Sequence, residues 1–153
     1  MVYSVREYLS SAIIATIDIK NLYPSIDQKW LLAVLERRIR SFYGEETGLA
    51  SFAIIVLRIL VKTQHTSFKD PLYKATVGLG TGIACGVFMV NVLLDELDLL
   101  VERSGLCLFF RRLVDDCFTI LERKNYVELL RIINEVHDCI LCETACVGKT
   151  ADF

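Results

Sequence analysis

The apolar positions along this chain change their spacing several times, and each change marks an element. Residues 11–19, SAIIATIDI, form a short apolar run ending at Asp18 and Ile19; a run of that length, bounded by turn residues, predicts a buried strand. NLYPSID follows, a turn carrying Pro24 in which Ser25 or Asp27 is placed to cap a helix. From Gln28 the spacing becomes helical. Leu31, Leu35, Ile39 and Phe42 make one stripe, Glu36, Arg37 and Arg40 lie off it, and Gly44 ends it. Residues 48–63 predict a second, more apolar helix. HTSFKDPLYKATV predicts a loop and a strand pair turning at Pro71, and GLGTG (78–82) a flexible approach to a third helix over roughly 84–103, with Phe88, Val92, Leu93, Leu97 and Leu100 along it. LCLFFRRLV (106–114) and CFTILE (117–122) predict two strands, NYVELLRIINEVHDC (125–139) a helix with Tyr126, Leu129, Leu130, Ile133 and Val136 on one face, and the last residues a further strand.

The order of these elements predicts an α+β fold in one domain, a small antiparallel sheet covered on one face by helices. The length of 153 residues suits one domain, 54% hydrophobic residues supply a core, and 24% charged residues argue against disorder. The longest apolar run, LASFAIIVLRILV, is interrupted by Arg58 and is too short for a membrane span of about 20 residues. MVYSVREYLSS has no basic start followed by an apolar stretch. The expectation is an intracellular protein of the nucleus or cytoplasm with no membrane partner and with its six cysteines reduced.

Charge changes the picture further. The net charge of −2 carries no signal for nucleic acid, but residues 1–77 hold ten Lys and Arg against seven Asp and Glu, while residues 78–153 hold seven against twelve. An acidic second half suits a cation better than a phosphate. Within it, RRLVDDCF sets Asp115 and Asp116 side by side between two strands, at or beside a hairpin tip. Adjacent carboxylates next to an apolar core are most often a solvated turn, and a metal ion is the specific alternative. Asp18, also at a strand end, converges with them if the strands are neighbours.

Other motifs carry less. GLGTG has Ile83 or Cys85 where a dinucleotide fingerprint needs its third glycine, and VGKT has Glu143 where a phosphate loop needs its first. His137, Cys139, Cys142 and Cys146 contain only one Cys-x-x-Cys, so buried thiols rather than zinc are expected. His65 reads as a solvated loop residue, and Arg111-Arg112 as a phosphate contact or a solvated strand pair.

Taken in order, TIDIKNLYPSID (16–27), GTGIACGVFMVNVLLDEL (80–97) and RRLVDDCF (111–118) resemble the three palm motifs of reverse transcriptases, those of Penelope-like retroelements most. The first motif is an Asp with an aromatic residue five positions on, Asp18 and Tyr23. The second is a Gly with an Asn nine positions on, Gly82 and Asn91. The third is x-x-Asp-Asp, Leu113 to Asp116. Residues 132–153 resemble the segment leading to the family's next element, which starts at a Phe. The chain departs where the family carries an aromatic residue in the third motif, Gln or Met at Thr81, and prolines near Cys85 and Gly86.

The resemblance implies a polymerase-type palm over 1–153 with part of the fingers. The implied activity is RNA-directed DNA polymerisation with two Mg²⁺ or Mn²⁺ ions. Asp18 and Asp115 would bridge the ions, Asp116 would support them, and the Ile19 carbonyl would complete a site. Tyr23 would lie under the sugar and exclude a 2′-hydroxyl. Thr81 and Gly82 would face the template or incoming base, and Asn91 would pin that region. The implied partners are an RNA or DNA template with its primer, deoxynucleoside triphosphates, and fingers and thumb from further segments or a partner chain; alone, the chain is expected to be weak or inactive. Two alternatives are a decayed, non-catalytic palm acting as an interaction module, and an RNA-dependent RNA polymerase, against which Tyr23 argues.

Overall fold

In the computed structural model, which describes residues 11–45, 47–67 and 69–148, the first apolar run is a strand, β1 (Ala12–Ile19). It alternates strictly: Ile13, Ala15, Ile17 and Ile19 are buried, while Ala12, Ile14, Thr16 and Asp18 are half-buried. A period of two puts the two sets on opposite faces of the strand. The expected turn at 21–25 is wound into a single helical turn, α1 (Leu22–Ser25). Then come α2 (Gln28–Tyr43), α3 (Gly48–Lys62), β2 (His65–Ser67), β3 (Leu72–Lys74), α4 (Gly86–Ser104), β4 (Cys107–Leu113), β5 (Asp116–Glu122), α5 (Tyr126–Asn134) and β6 (Cys142–Gly148).

β4, β5, β1 and β6, in that order, form an antiparallel four-stranded sheet with helices on one face, as expected. Residues 1–10 and 149–153 lie outside the described residues, and with them most of the leader reading and the approach to Phe153. Among the described residues, no helix is long and apolar enough to cross a membrane.

The chain groups into two compact units, one of residues 1–22 and 95–153, the other of residues 23–94. In the first unit the buried face of β1 continues into Cys117, Thr119 and Leu121 of β5, and Leu97, Val101, Leu129 and Ile133 of the helices are buried as well. Thr119 is the one polar side chain among these, and its hydroxyl donates to the Phe109 carbonyl at 3.0 Å. In the second unit, Asp27 caps α2 by accepting from the Lys29 and Trp30 amides, and Thr47 caps α3 by accepting from Ala50. β2 and β3 pair as the expected short hairpin.

Several boundaries and faces differ from expectation. The α2 stripe buries Leu31 and Leu35 together with Val34, but Phe42 is 81% exposed because the last turn runs past the core. α4 begins at Gly86, not 84, because residues 80–86 first close two tight turns, Ile83 N to Gly80 O and Gly86 N to Ile83 O. Its buried face is Met89, Val90, Leu93, Leu94, Leu97 and Val101, which leaves the expected Phe88 and Leu100 exposed. α5 stops at Asn134, five residues early. The Asn134 amide accepts from Cys142 N at 2.7 Å and donates to Cys142 O at 3.1 Å, so the end of the helix is tied to the start of β6.

Candidate metal centre

The β1–β5 register places Asp18 directly across from Asp116, and the β1–β6 register places Glu143 on its other side. Residues directly opposite in antiparallel strands share a face, with Cβ atoms about 4.5–5.5 Å apart. Three carboxylates therefore form a row, Asp116–Asp18–Glu143, on the face opposite the buried isoleucines. Asp115 occupies the turn beside them, and its carbonyl accepts from Ile19 N at 3.0 Å. Asp18, Ile19, Asp115 and Asp116 are thus brought together at one end of the sheet. It is Asp116, not Asp115, that stands opposite Asp18.

The turn itself is strained. Leu113 pairs with Asp116, which leaves Val114 and Asp115 as a two-residue loop, and Val114 has φ of 59°. A positive φ at the first central residue alone is the pattern of a type II′ turn, which prefers glycine there. A β-branched residue in that conformation persists only if its surroundings hold it. Arg112 supplies the hold. Its side chain is 5% exposed; Nε donates to Asp98 Oδ1 at 2.9 Å, Nη2 to Oδ2 at 2.7 Å, and Nη1 to the Val114 carbonyl at 3.0 Å. The expectation that Arg112 meets phosphate or solvent is therefore corrected: strand parity turns it away from Arg111 and into a fork–fork pair. Arg111 stays exposed, its guanidinium 5.2 Å from the Phe109 ring centroid.

Lys20 is the cation at this corner. Its Nζ lies 2.6 Å from Asp18 Oδ2 and 3.9 Å from Glu143 Oε2. The hydrogen bond to Asp18 first, and the charge of Asp18 second, raise the lysine above its ordinary pKa. Among the described residues, no three His, Cys, Asp or Glu side chains are gathered as a ready-made metal cage. The donor set is nevertheless of hard oxygens, as Mg²⁺ and Mn²⁺ require, and an ammonium group stands as a cation against its central member.

Three cysteines lie on the strands that flank this corner, Cys117 on β5 and Cys142 and Cys146 on β6. Cys142 shares a register position with buried Ile19, whereas Cys146 is opposite Thr16 on the other face. Burial pushes the Cys117 and Cys142 thiols up to about 12, with the charge of Asp18 adding to the effect at Cys142. His137 Nδ1 contacts the Cys139 sulfur at 3.2 Å.

The remaining motif residues belong to the second unit. The Tyr23 carbonyl accepts from Leu79 N at 2.8 Å, Gly78 N donates to Ile26 O, and Gln28 Nε2 donates to Gly78 O at 2.9 Å. The glycine loop is thereby stitched onto the first motif. Gly78 has φ of 81°, and a Cβ there would meet Pro24 O at 2.8 Å, so glycine is required. Gln64 Oε1 accepts from Gly80 N. Thr81 and Gly82 follow in an exposed turn, where a Cβ on Gly82 would meet nothing within 4 Å. Asn91 is exposed on α4. Sequence reasoning missed Lys20, Glu143, Asp98, Gln28 and Gln64. Only Lys20 carried a local signal, two positions after Asp18 and hence on the same side of an extended chain.

No family model matches the chain, and no curated protein matches it. Solved structures do. Telomerase from Candida albicans, in complex with a TWJ fragment of telomeric RNA, is 16% identical, with a TM-score of 0.68 over 95% of this chain and 29% of that one. Apo telomerase from Candida tropicalis is 14% identical with a TM-score of 0.62, and the same enzyme truncated from its C-terminal domain gives 0.61; each match covers 93% of this chain. The chain spans about three tenths of the length of these telomerases. At such identities the likeness is one of architecture: the chain shares the fold of the matched part of these telomerases.

Proposed function

We propose that this chain is the palm of a reverse transcriptase, close to those of Penelope-like retroelements, and that Asp18, Asp115 and Asp116 hold the divalent cations of template-directed nucleotidyl transfer. The observation that carries the reading is the register Asp18–Asp116, with the strained Val114–Asp115 turn tied to Ile19 at the same end. Chance alignment of the first and third motifs gives no reason for their acids to meet on one sheet face. A solvated turn gives no reason for a buried arginine fork beneath it.

When bound, a pair of Mg²⁺ or Mn²⁺ ions would lower the pKa of a primer 3′-hydroxyl and stabilise the leaving phosphate oxygen. The chain's own residues do the positioning. Asp18 and Asp116 present carboxylates from adjacent strands, Asp115 adds one from the turn, and Arg112 fixes that turn through the Val114 carbonyl. Tyr23, anchored through its carbonyl to Leu79, is assigned to the sugar and selects deoxynucleoside triphosphates. Thr81 and Gly82, exposed and open above the Cα of Gly82, are assigned to the template or incoming base, and Asn91 to pinning that region. The partners on this reading are an RNA or DNA template and its primer.

The test is Mn²⁺ binding followed by electron paramagnetic resonance of free Mn²⁺, with primer extension alongside. Asp18→Asn and Asp116→Asn should each weaken binding by about tenfold or more, since each removes a charged oxygen ligand. Extension by the chain alone should be weak, because positioning supplies much of the rate in phosphoryl transfer. Unchanged Mn²⁺ binding in both variants would end the metal reading.

One observation favours a second reading, a palm-like interaction module. α3 buries Ala50, Ile54 and Val61, yet Leu49, Phe52, Ile55 and Ile59 on its other side are each more than half exposed. A helix apolar all round expects a second covering layer. On this reading the layer is the same helix of a second copy. The chain would sediment as a dimer that Phe52→Glu dissociates, and a monomer at high concentration would count against it.

A further inference from the structure

We infer that Lys20 is the resident counter-cation of the carboxylate row and that Glu143 is the seat its ammonium moves to when a divalent cation takes Asp18. This rests on the metal reading above and adds two positioning residues to it.

The geometry is that of a side chain between two stations. The Lys20 backbone is fixed, its N–H donating to the Leu141 carbonyl at 2.8 Å. Its ammonium is 2.6 Å from Asp18 and 3.9 Å from Glu143, within hydrogen-bond distance of the first and just beyond it for the second. Asp18 and Glu143 face each other across β1 and β6, so a turn of the flexible four-carbon stem carries the ammonium from one carboxylate to the other. The Lys20 side chain is 44% exposed and that of Glu143 56%, so both stations open to solvent.

The row also explains why a lysine belongs here. Asp116, Asp18 and Glu143 carry three like charges on adjacent strands, and like charges directly opposite one another destabilise a sheet. A cation from outside offsets that repulsion when it is present. In its absence the chain supplies one from Lys20, at the central member of the row. Glu143 lies on the far side of Asp18 from Asp116, so an ammonium that moves there leaves the Asp18–Asp116 side open.

A double-mutant cycle on Mn²⁺ affinity in the full chain tests this without recourse to activity. Lys20→Met should tighten Mn²⁺ binding roughly two- to fivefold, the range for loss of an exposed competing ion pair. Glu143→Gln should weaken binding roughly two- to threefold while Lys20 is present, and change it by less than about 1.5-fold in the Lys20→Met background. Lys20→Arg should preserve the coupling. If Glu143→Gln weakens binding equally in both backgrounds, Glu143 acts on the cation directly and the transfer is overturned. If Lys20→Met does not tighten binding, the counter-cation role is overturned. If no variant, nor the unmodified chain, binds Mn²⁺, the metal reading itself fails and takes this inference with it.

Discussion

Arg112 is where the fold's stability and the candidate site meet most directly, and Arg112→Met tests that link. The substitution keeps the volume of the stem and removes three charge-assisted hydrogen bonds, two to Asp98 and one to the Val114 carbonyl. Removing one partner of a fully buried pair costs about 3–5 kcal/mol, because the remaining charge is left without compensation. Asp98 is 34% exposed, so water recovers part of its solvation. The expected cost is therefore about 2–3 kcal/mol. In a chain of this size that lowers Tm by about 4–12 °C, at 2–4 °C per kcal/mol.

The diagnostic step is the double variant Arg112→Met/Asp98→Leu. It removes more native contacts than the single variant, yet it also removes the stranded carboxylate, and replacing a buried pair by apolar residues is often near neutral. Urea unfolding should thus place the double variant closer to the unmodified chain than Arg112→Met alone, by about 1 kcal/mol or more. A single variant within about 0.5 kcal/mol of the unmodified chain would show that the fork does not support the turn, since surface substitutions fall in that range. A double variant worse than the single one would refute the reasoning about stranded charge.

Three further outcomes follow from the same structure. Gly78→Ala should cost about 2 kcal/mol or more in thermal unfolding, from the positive φ and the Pro24 carbonyl at 2.8 Å, while Gly82→Ala should change stability by less than about 1 kcal/mol. Val114→Gly should stabilise by up to about 1 kcal/mol, as relief of the left-handed strain exceeds the entropy of the added glycine. The hydrogen bonds from Arg58, then Arg40, hold the Glu36 carboxyl below its ordinary value of 4.5, so its contribution is present above that pH and lost as pH falls through the folded-state pKa. Glu36→Gln should cost up to about 1 kcal/mol at pH 7 and less below pH 4, read from urea midpoints across pH.

The sequence made the sheet and its acids legible for a simple reason. Strands and turns announce themselves locally, and Asp18, Asp115 and Asp116 sit at strand ends that a period of two and a run of turn residues define. Register is not local. Nothing in RRLVDDCF says that Leu113 will pair with Asp116, so the choice between Asp115 and Asp116 as the partner of Asp18 had to come from the structure. Arg112 was misread for a related cause: its partner lies 14 residues back on a helix, and one position of strand parity separates a buried guanidinium from the exposed one of Arg111. Phe42 and Phe88 were misplaced because helical periodicity shows that an apolar stripe exists, not where along it the core ends.

What holds like charges together at this corner is the backbone, and the devices that do so lie on residues other than the acids. The amide of Ile19 ties the Asp115 carbonyl to the end of β1. Arg112 clamps a turn that its own side chains would disfavour. Asn134 grips both backbone groups of Cys142 and so determines where β6 begins, one residue before Glu143. A shift of one position in any of these three would turn a carboxylate to the opposite face, among Ile17, Cys117 and Leu121. The buried face of the sheet is therefore what keeps the acids aligned: hydrophobic burial of alternate residues pins the register, and the register delivers Asp116, Asp18 and Glu143 to one side. Arg112 beneath Val114 and Lys20 against Asp18 act in the same direction, the first by fixing the turn and the second by offsetting the charge of the central member of the row.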